Sequence, residues 1–176
     1  RLAGMPQAHF HPLPDGRRVA FRLTPGAGPV VVFLPGYMSD MSGSKACAVF
    51  DWAVEQGRAC LLLDYSGCGE SDGLFADGTL SRWREEVLAL LDGHCSGPAV
   101  FIGSSMGGWL MLLCALALPP ERVAGLIGIA GAPDFTEWGY SEADKARLAA
   151  GEVVYEDNPY DPEPTPTHPG PWADGQ

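Results

Sequence analysis

Charge is sparse in this chain of 176 residues: 19% are Asp, Glu, Lys or Arg, against roughly 25% in an ordinary soluble domain. Positive charge is scarcer still, with 11 Lys plus Arg facing 22 Asp plus Glu and a formal charge of −11. Such a surface repels phosphate backbones and anionic lipid headgroups, which excludes nucleic-acid binding as a primary role. No apolar run is long. The longest, Trp109 to Leu118, falls well short of the roughly 18 residues that a membrane-spanning helix needs, so a soluble protein without a membrane span is expected. The chain opens at Arg1 without a basic stretch leading into an apolar core, so these residues show neither a signal peptide nor a full transit peptide, and a segment removed upstream stays open. No repeat of fixed period occurs.

The five cysteines, Cys47, Cys60, Cys68, Cys95 and Cys114, form no C-x-x-C pair, and their number is odd. Free buried thiols in a reducing compartment are therefore expected, in cytoplasm or, for a eukaryotic protein, the mitochondrial matrix. Metal ligands are also few. His9 and His11 share one strand face with no nearby carboxylate or thiol to complete a set, so they are read as exposed strand residues and no metal is assigned. Gly67-Cys68-Gly69-Glu70-Ser71-Asp72-Gly73 places its third glycine one position late for a dinucleotide fingerprint, and its acidic residues would repel a pyrophosphate. Gly43-Ser44-Lys45 has the wrong order for a phosphate-binding loop. No cofactor is expected.

What is abundant is glycine and proline, 23 and 16 residues, together about 22% where roughly 12% is usual. With 46% hydrophobic and 10% aromatic residues, the excess belongs to turns of a folded chain. The length predicts a single domain over residues 1–176. His9 to Leu23 reads as a hairpin turned by Pro14-Asp15-Gly16, forming an antiparallel edge. Val30 to Leu34, Ala59 to Asp64, Ala99 to Ile102 and, more weakly, Gly125 to Ala130 are apolar on both faces, as central parallel strands are. Helical spacing marks Lys45 to Gln56 closed by Gly57, Leu80 to Leu91 followed by Gly93, and the nearly all-apolar Met106 to Leu118 stopped by Pro119-Pro120. Alternating strands and helices predict an α/β doubly wound, mostly parallel sheet. Ser141 with Asp144 makes a capping box for a short helix ending at Gly151. Six prolines between Pro159 and Pro171 predict an extended surface segment, continuing to residue 176, without helix or central strand.

Gly103-Ser104-Ser105-Met106-Gly107 is a G-x-S-x-G match between a strand and a helix, the context of a nucleophile elbow. Ser105 fits as the nucleophile. Ser104 does not, because no glycine stands at 102 or 106. Leu34-Pro35-Gly36-Tyr37-Met38 lies where an open α/β sheet presents its ligand crevice, and the backbone N–H groups of Tyr37 and Met106 are the expected oxyanion-hole donors. Asp134, just past the fourth parallel strand, is read as a loop or capping aspartate before a catalytic acid. Cys68 is read as a packing residue. Trp109, Phe135, Trp138 and Tyr140 suit either an acyl pocket or core and surface packing, and the sequence does not choose.

These motifs, with Asp64-Tyr65-Ser66-Gly67-Cys68-Gly69-Glu70-Ser71 between them, resemble the α/β-hydrolase superfamily. More narrowly, the stretch from Phe33 to Ala46 resembles a bacterial relative of the mitochondrial palmitoyl-protein thioesterase and acyl-glucuronide esterase group, and the likeness covers most of residues 10 to 160. The resemblance implies an α/β-hydrolase fold and serine-dependent cleavage of acyl thioesters or carboxylic esters, small or protein-borne, by Ser, Asp and His. Of these only Ser105 carries over. The acid and histidine of the family follow the serine on two later strands, which this sequence does not show, so a C-terminally shortened fold is expected. His168 is the only histidine after Ser105. The competing expectation is a non-catalytic protein of the same fold that binds an acyl ligand and has lost its base.

Overall fold

The computed structural model describes residues 5–158 and 162–176. Strand β1 (His9–Pro12) pairs antiparallel with β2 (Arg18–Thr24), His9 opposite Phe21 and Pro12 opposite Arg18. The turn between them works as its residues require. Gly16 takes φ 87°, and Asp15 Oδ1 accepts the Arg17 amide at 3.1 Å.

The parallel strands follow as β3 (Ala27–Leu34), β4 (Arg58–Leu63), β5 (Ala99–Ser104) and β6 (Val123–Ile129). The six-stranded sheet runs in the order β1-β2-β4-β3-β5-β6, with the β1–β2 and β2–β4 pairs antiparallel and the β4–β3, β3–β5 and β5–β6 pairs parallel. Because successive side chains point to opposite faces, β3 and β4 supply both layers of core. Val30, Val32, Leu34, Leu61 and Leu63 enter one cluster, and Val31, Phe33, Cys60 and Leu62 the other. Helix α1 (Ser44–Glu55) covers the second through Ala46, Phe50 and Ala53, and ends where Gly57 turns at φ 61°. Helices α2 (Leu80–His94) and α3 (Met106–Ala117) cover the first through Trp83, Val87, Leu90, Trp109 and Leu110. This is the doubly wound arrangement read from the sequence.

Two readings shift in detail. The second helix does not stop before Gly93 but runs through it to His94, opened by Thr79 Oγ1 accepting the Arg82 amide at 3.1 Å. The weakly marked β6 is parallel but lies at the sheet margin, bonded to β5 alone, with Leu126 and Ile127 41% and 51% exposed.

Beyond β6 come α4 (Phe135–Trp138), α5 (Glu142–Ala149), β7 (Val154–Glu156), β8 (Thr165–Thr167) and α6 (Pro169–Asp174). The capping box at α5 forms, Ser141 Oγ accepting the Asp144 amide at 3.1 Å. The extended reading of Pro159 to Pro171 and onward needs correction where α6 forms. Pro169 and Pro171 fall in its first turn, where an amide has no helical acceptor to lose. Burial of Trp172, whose Nε1 donates to the Thr136 carbonyl at 3.0 Å, holds the turn in place. Pro159 itself, at the start of that reading, lies outside the described residues. Leu148, Val154 and Trp172 make a small satellite core.

Candidate functional site

Ser105 occupies the single-residue corner between β5 and α3 at φ 53°, ψ −120°, a conformation that a side chain adopts only when its surroundings impose it. They do so through the backbone. The Ser105 amide donates to the Ile129 carbonyl at 3.0 Å, while its own carbonyl accepts from Gly108 at 2.8 Å and Ala132 at 3.1 Å. The corner also depends on Gly107. A Cβ there would overlap the Leu34 carbonyl and come within 2.7 Å of the Pro35 oxygen, so no side chain fits between α3 and the end of β3. Ser105 is exposed.

The loop from Pro35 to Gly43 passes against this corner. A Cβ on Gly36 would meet that of Ser105 at 3.3 Å, which measures how closely the two backbones approach. Tyr37 follows, then Met38 with φ 56°, and the Ser39 amide turns back to the Gly36 carbonyl at 3.1 Å. Among the described residues the backbone N–H groups of Tyr37 and Met106 have no protein acceptor. The first stands in an irregular loop and the second is the opening residue of a helix, where such amides are left over. The structure thus gathers Ser105, Tyr37 and Met106 at one place.

Aromatic side chains build a wall around Tyr37. The Tyr37 ring meets Phe75 edge-on at 5.1 Å and Phe135 at 6.2 Å, and Trp109 meets Phe135 edge-on at 5.6 Å. Of the aromatics left open by the sequence, Trp109 and Phe135 stand in this wall, Trp138 is 80% exposed, and Tyr140 bonds to Thr167 at 2.8 Å. Phe75 and Pro166 were missed by the sequence reading because their roles arise only from tertiary contact. The Tyr37 hydroxyl donates to the Pro166 carbonyl at 3.0 Å, pinning the β7–β8 strap beside the loop. Burial raises the pKa of that hydroxyl, keeping it a donor.

His168 follows the same strap and caps α6. Its ring lies edge-on to Phe75 at 5.8 Å, and among the described residues neither its imidazole nor the Ser105 hydroxyl makes a side-chain hydrogen bond. Asp134, exposed and at φ 57°, begins α4 without a capping bond and touches neither group by hydrogen bond. Cys68 lies beside the loop in a cavity of about 250 Å³ shared with Met38, Asp40 and Phe75. Burial pushes its thiol up to about 12, so it remains protonated and inert. His9 and His11 lie at the other side of the sheet, His11 Nδ1 standing 3.0 Å from His94 Nε2.

A family model described as alpha/beta hydrolase fold matches residues 29–155. The human palmitoyl-protein thioesterase ABHD10, mitochondrial, is 46% identical over 121 residues, which are 69% of this chain and 39% of that protein. The chain therefore spans well under half of that relative's length. A putative hydrolase from Agrobacterium vitis S4 superposes with a TM-score of 0.84 at 35% identity, over 97% of this chain and 72% of that one. Mouse alpha/beta hydrolase domain-containing protein 10 gives 0.79 at 36% identity, over 88% and 63%.

Proposed function

Because this chain belongs to the alpha/beta hydrolase family, we propose that it is a serine hydrolase cleaving acyl thioesters or carboxylic esters. The observation that carries this reading is the forced corner at Ser105, φ 53°, with the Gly36–Tyr37 loop close against it and the Tyr37 and Met106 amides lacking an acceptor among the described residues. Ser105 Oγ attacks the acyl carbon, its proton passing to a general base, and the carbonyl oxygen becomes an oxyanion facing the two amides. Collapse expels a thiol or alcohol that recovers the proton, and water then hydrolyses the acyl-serine through a second oxyanion. Donors already fixed in place need no reorganisation as charge develops, and losing one typically costs on the order of 10² to 10³ in rate.

Apolar, uncharged acyl groups on a small molecule or a protein fit the wall of Tyr37, Phe75, Trp109 and Phe135. A charged acyl group would leave a carboxylate desolvated and unpaired there, at a cost of several kcal/mol. The net charge of −11 argues against a nucleic-acid partner, and no described helix is long and apolar enough to cross a membrane. All five cysteines are free, which supports a reducing compartment: the cytoplasm, or the matrix in a eukaryote.

The test is fluorophosphonate labelling of the protein as its gene encodes it. Label at Ser105, lost in Ser105→Ala, is the expected result, and an unlabelled Ser105 would sink the proposal. One observation favours a second reading, acyl-ligand binding without turnover: no described imidazole is bonded to the Ser105 hydroxyl. It requires measurable affinity for an acyl ligand with no hydrolysis, and turnover excludes it.

A further inference from the structure

The sequence puts His9 and His11 on one face of β1 with no further ligand beside them, and the fold supplies one from 83 residues away. His11 Nδ1 stands 3.0 Å from His94 Nε2, the two rings meeting edge-on at 5.1 Å with 82° between planes. His94 ends α2, and the residue before it makes room for this approach: a Cβ on Gly93 would lie 3.2 Å from His11 Cε1. Glycine weakens a helix interior, and here the space it frees is filled by the His11 ring. Phe21, opposite His9 in the strand register, packs against the His94 ring at 4.5 Å. His9, His94, Phe21 and Leu23 line a cavity of about 390 Å³. Three of the chain's four histidines therefore gather where the N-terminal hairpin meets the end of α2.

Two imidazole nitrogens at this spacing can be satisfied in two ways. One ring donates its N–H to the other, or both give a lone pair to one cation. At an ordinary metal–nitrogen distance of about 2.05 Å, nitrogens 3.0 Å apart subtend about 95° at the ion. That is the angle between neighbouring ligands of a tetragonal site, the geometry of Cu²⁺ and Ni²⁺, and it is narrower than the roughly 109° of tetrahedral Zn²⁺. The ion stands off the line joining the nitrogens, so each ring tilts by roughly 40° to aim at it. His94 is exposed and His11 half-buried, which leaves room for that movement. We propose that His11 and His94 form a two-imidazole site for a divalent transition-metal ion, Cu²⁺ by preference, that ties the N-terminal hairpin to α2. Among the described residues no group of three or more His, Cys, Asp or Glu closes around an ion, so water completes the coordination from the adjoining cavity. Partial desolvation, then the nearness of His11 and His9, lowers the pKa of His94 and favours the neutral imidazole that binds metal. The pair stands apart from the elbow. α2 ends before β5 begins at Ala99, and Ser105 follows the other end of that six-residue strand, which is about 20 Å long.

The experiment titrates CuCl₂, NiCl₂ and ZnCl₂ into the whole, tag-free protein and its His11→Ala, His94→Ala and His9→Ala variants. Calorimetry reads affinity, and electron paramagnetic resonance reads the ligands of the tightest Cu²⁺ site. The parent is expected to bind Cu²⁺ more tightly than Ni²⁺ or Zn²⁺, with hyperfine splitting from two nitrogens. His11→Ala and His94→Ala each weaken Cu²⁺ binding by at least about tenfold, since losing a ligand costs no less than losing a group behind one. His9→Ala, which keeps the pair, stays within about threefold of the parent. Cu²⁺ raises the melting temperature of the parent and not that of His94→Ala, because the ion binds only where the fold has brought the two rings together. Each substitution trims a ring at the surface, and if one variant does not fold the other decides. Cu²⁺ affinity unchanged in a folded His11→Ala or His94→Ala, or a spectrum with fewer than two nitrogens, reduces the contact to a hydrogen bond between neutral rings and overturns the site. A loss in His9→Ala as large as in His94→Ala overturns the pairing. Tightest binding of Zn²⁺ overturns the tetragonal geometry.

Discussion

Ser105 and Gly107, two residues apart, should respond to substitution in opposite ways. Ser105→Ala removes one hydroxyl from an exposed corner whose backbone bonds to Ile129, Gly108 and Ala132 remain, so labelling should vanish while the melting temperature stays within a few degrees. Gly107→Val drives a branched side chain into the Leu34 and Pro35 carbonyls. Since backbone cannot yield there, loss of soluble protein is expected, and a well-folded but slow variant would contradict the geometry. The tight corner was legible in the sequence because glycine spacing encodes how closely strand and helix approach. The corner position of Ser105 at the start of α3 was legible for the same reason. The bonds between Tyr65 and the Pro35 carbonyl and between Asp64 and the Met41 amide were not: those partners lie 30 and 23 residues away, and no local pattern records such a contact. His168 yields a prediction of its own. With its ring against Phe75 and no bond to the serine, His168→Ala should leave the labelling rate of these 176 residues unchanged, and a loss would make it the general base.

Among the elements, those with an unbroken apolar code were readable. β3, β4 and β5 are apolar on both faces because helices cover both, and α1 to α3 repeat their buried positions at helical spacing. The code fails past β6. α4 and α6 are too short for a period to show, and the prolines that argued against helix sit in α6 where the first turn accepts them. The helix is held by Trp172 against Thr136 and by Asp174, whose carboxylate accepts the Ser81 amide at 2.6 Å and hydroxyl at 2.8 Å. Trp172→Ala should therefore cost about 3 kcal/mol locally, seen as faster amide exchange in β7, β8 and α6 with the main sheet protected. Uniform loss across the sheet would show that the satellite core is not a separate unit.

For the whole molecule, two features set behaviour in solution. Among the described residues β6 pairs on one side only and leaves Leu126 and Ile127 exposed, a template for unwanted pairing, so Ile127→Lys should reduce light scattering at high concentration without lowering labelling. Buried Glu86 sets the second. Desolvation raises its pKa despite the Ser66 bonds, and one carboxylate oxygen has no hydrogen-bond partner, with Arg17 4.0 Å away. A raised folded pKa means the folded state holds its proton more tightly than the unfolded chain. That stabilisation is complete below the ordinary glutamate value of about 4.3 and declines as pH rises through the folded one. Melting followed over that window should show the decline, and Glu86→Gln should flatten it. The bond from Tyr37 to Pro166, finally, has a consequence in time. The two residues are 129 positions apart, and a ribosome adding about 5 to 20 residues per second makes the acceptor roughly 6 to 26 s after the donor. Throughout that interval the nascent loop beside the elbow lacks its outer tether, which can form only once Pro166 has been made.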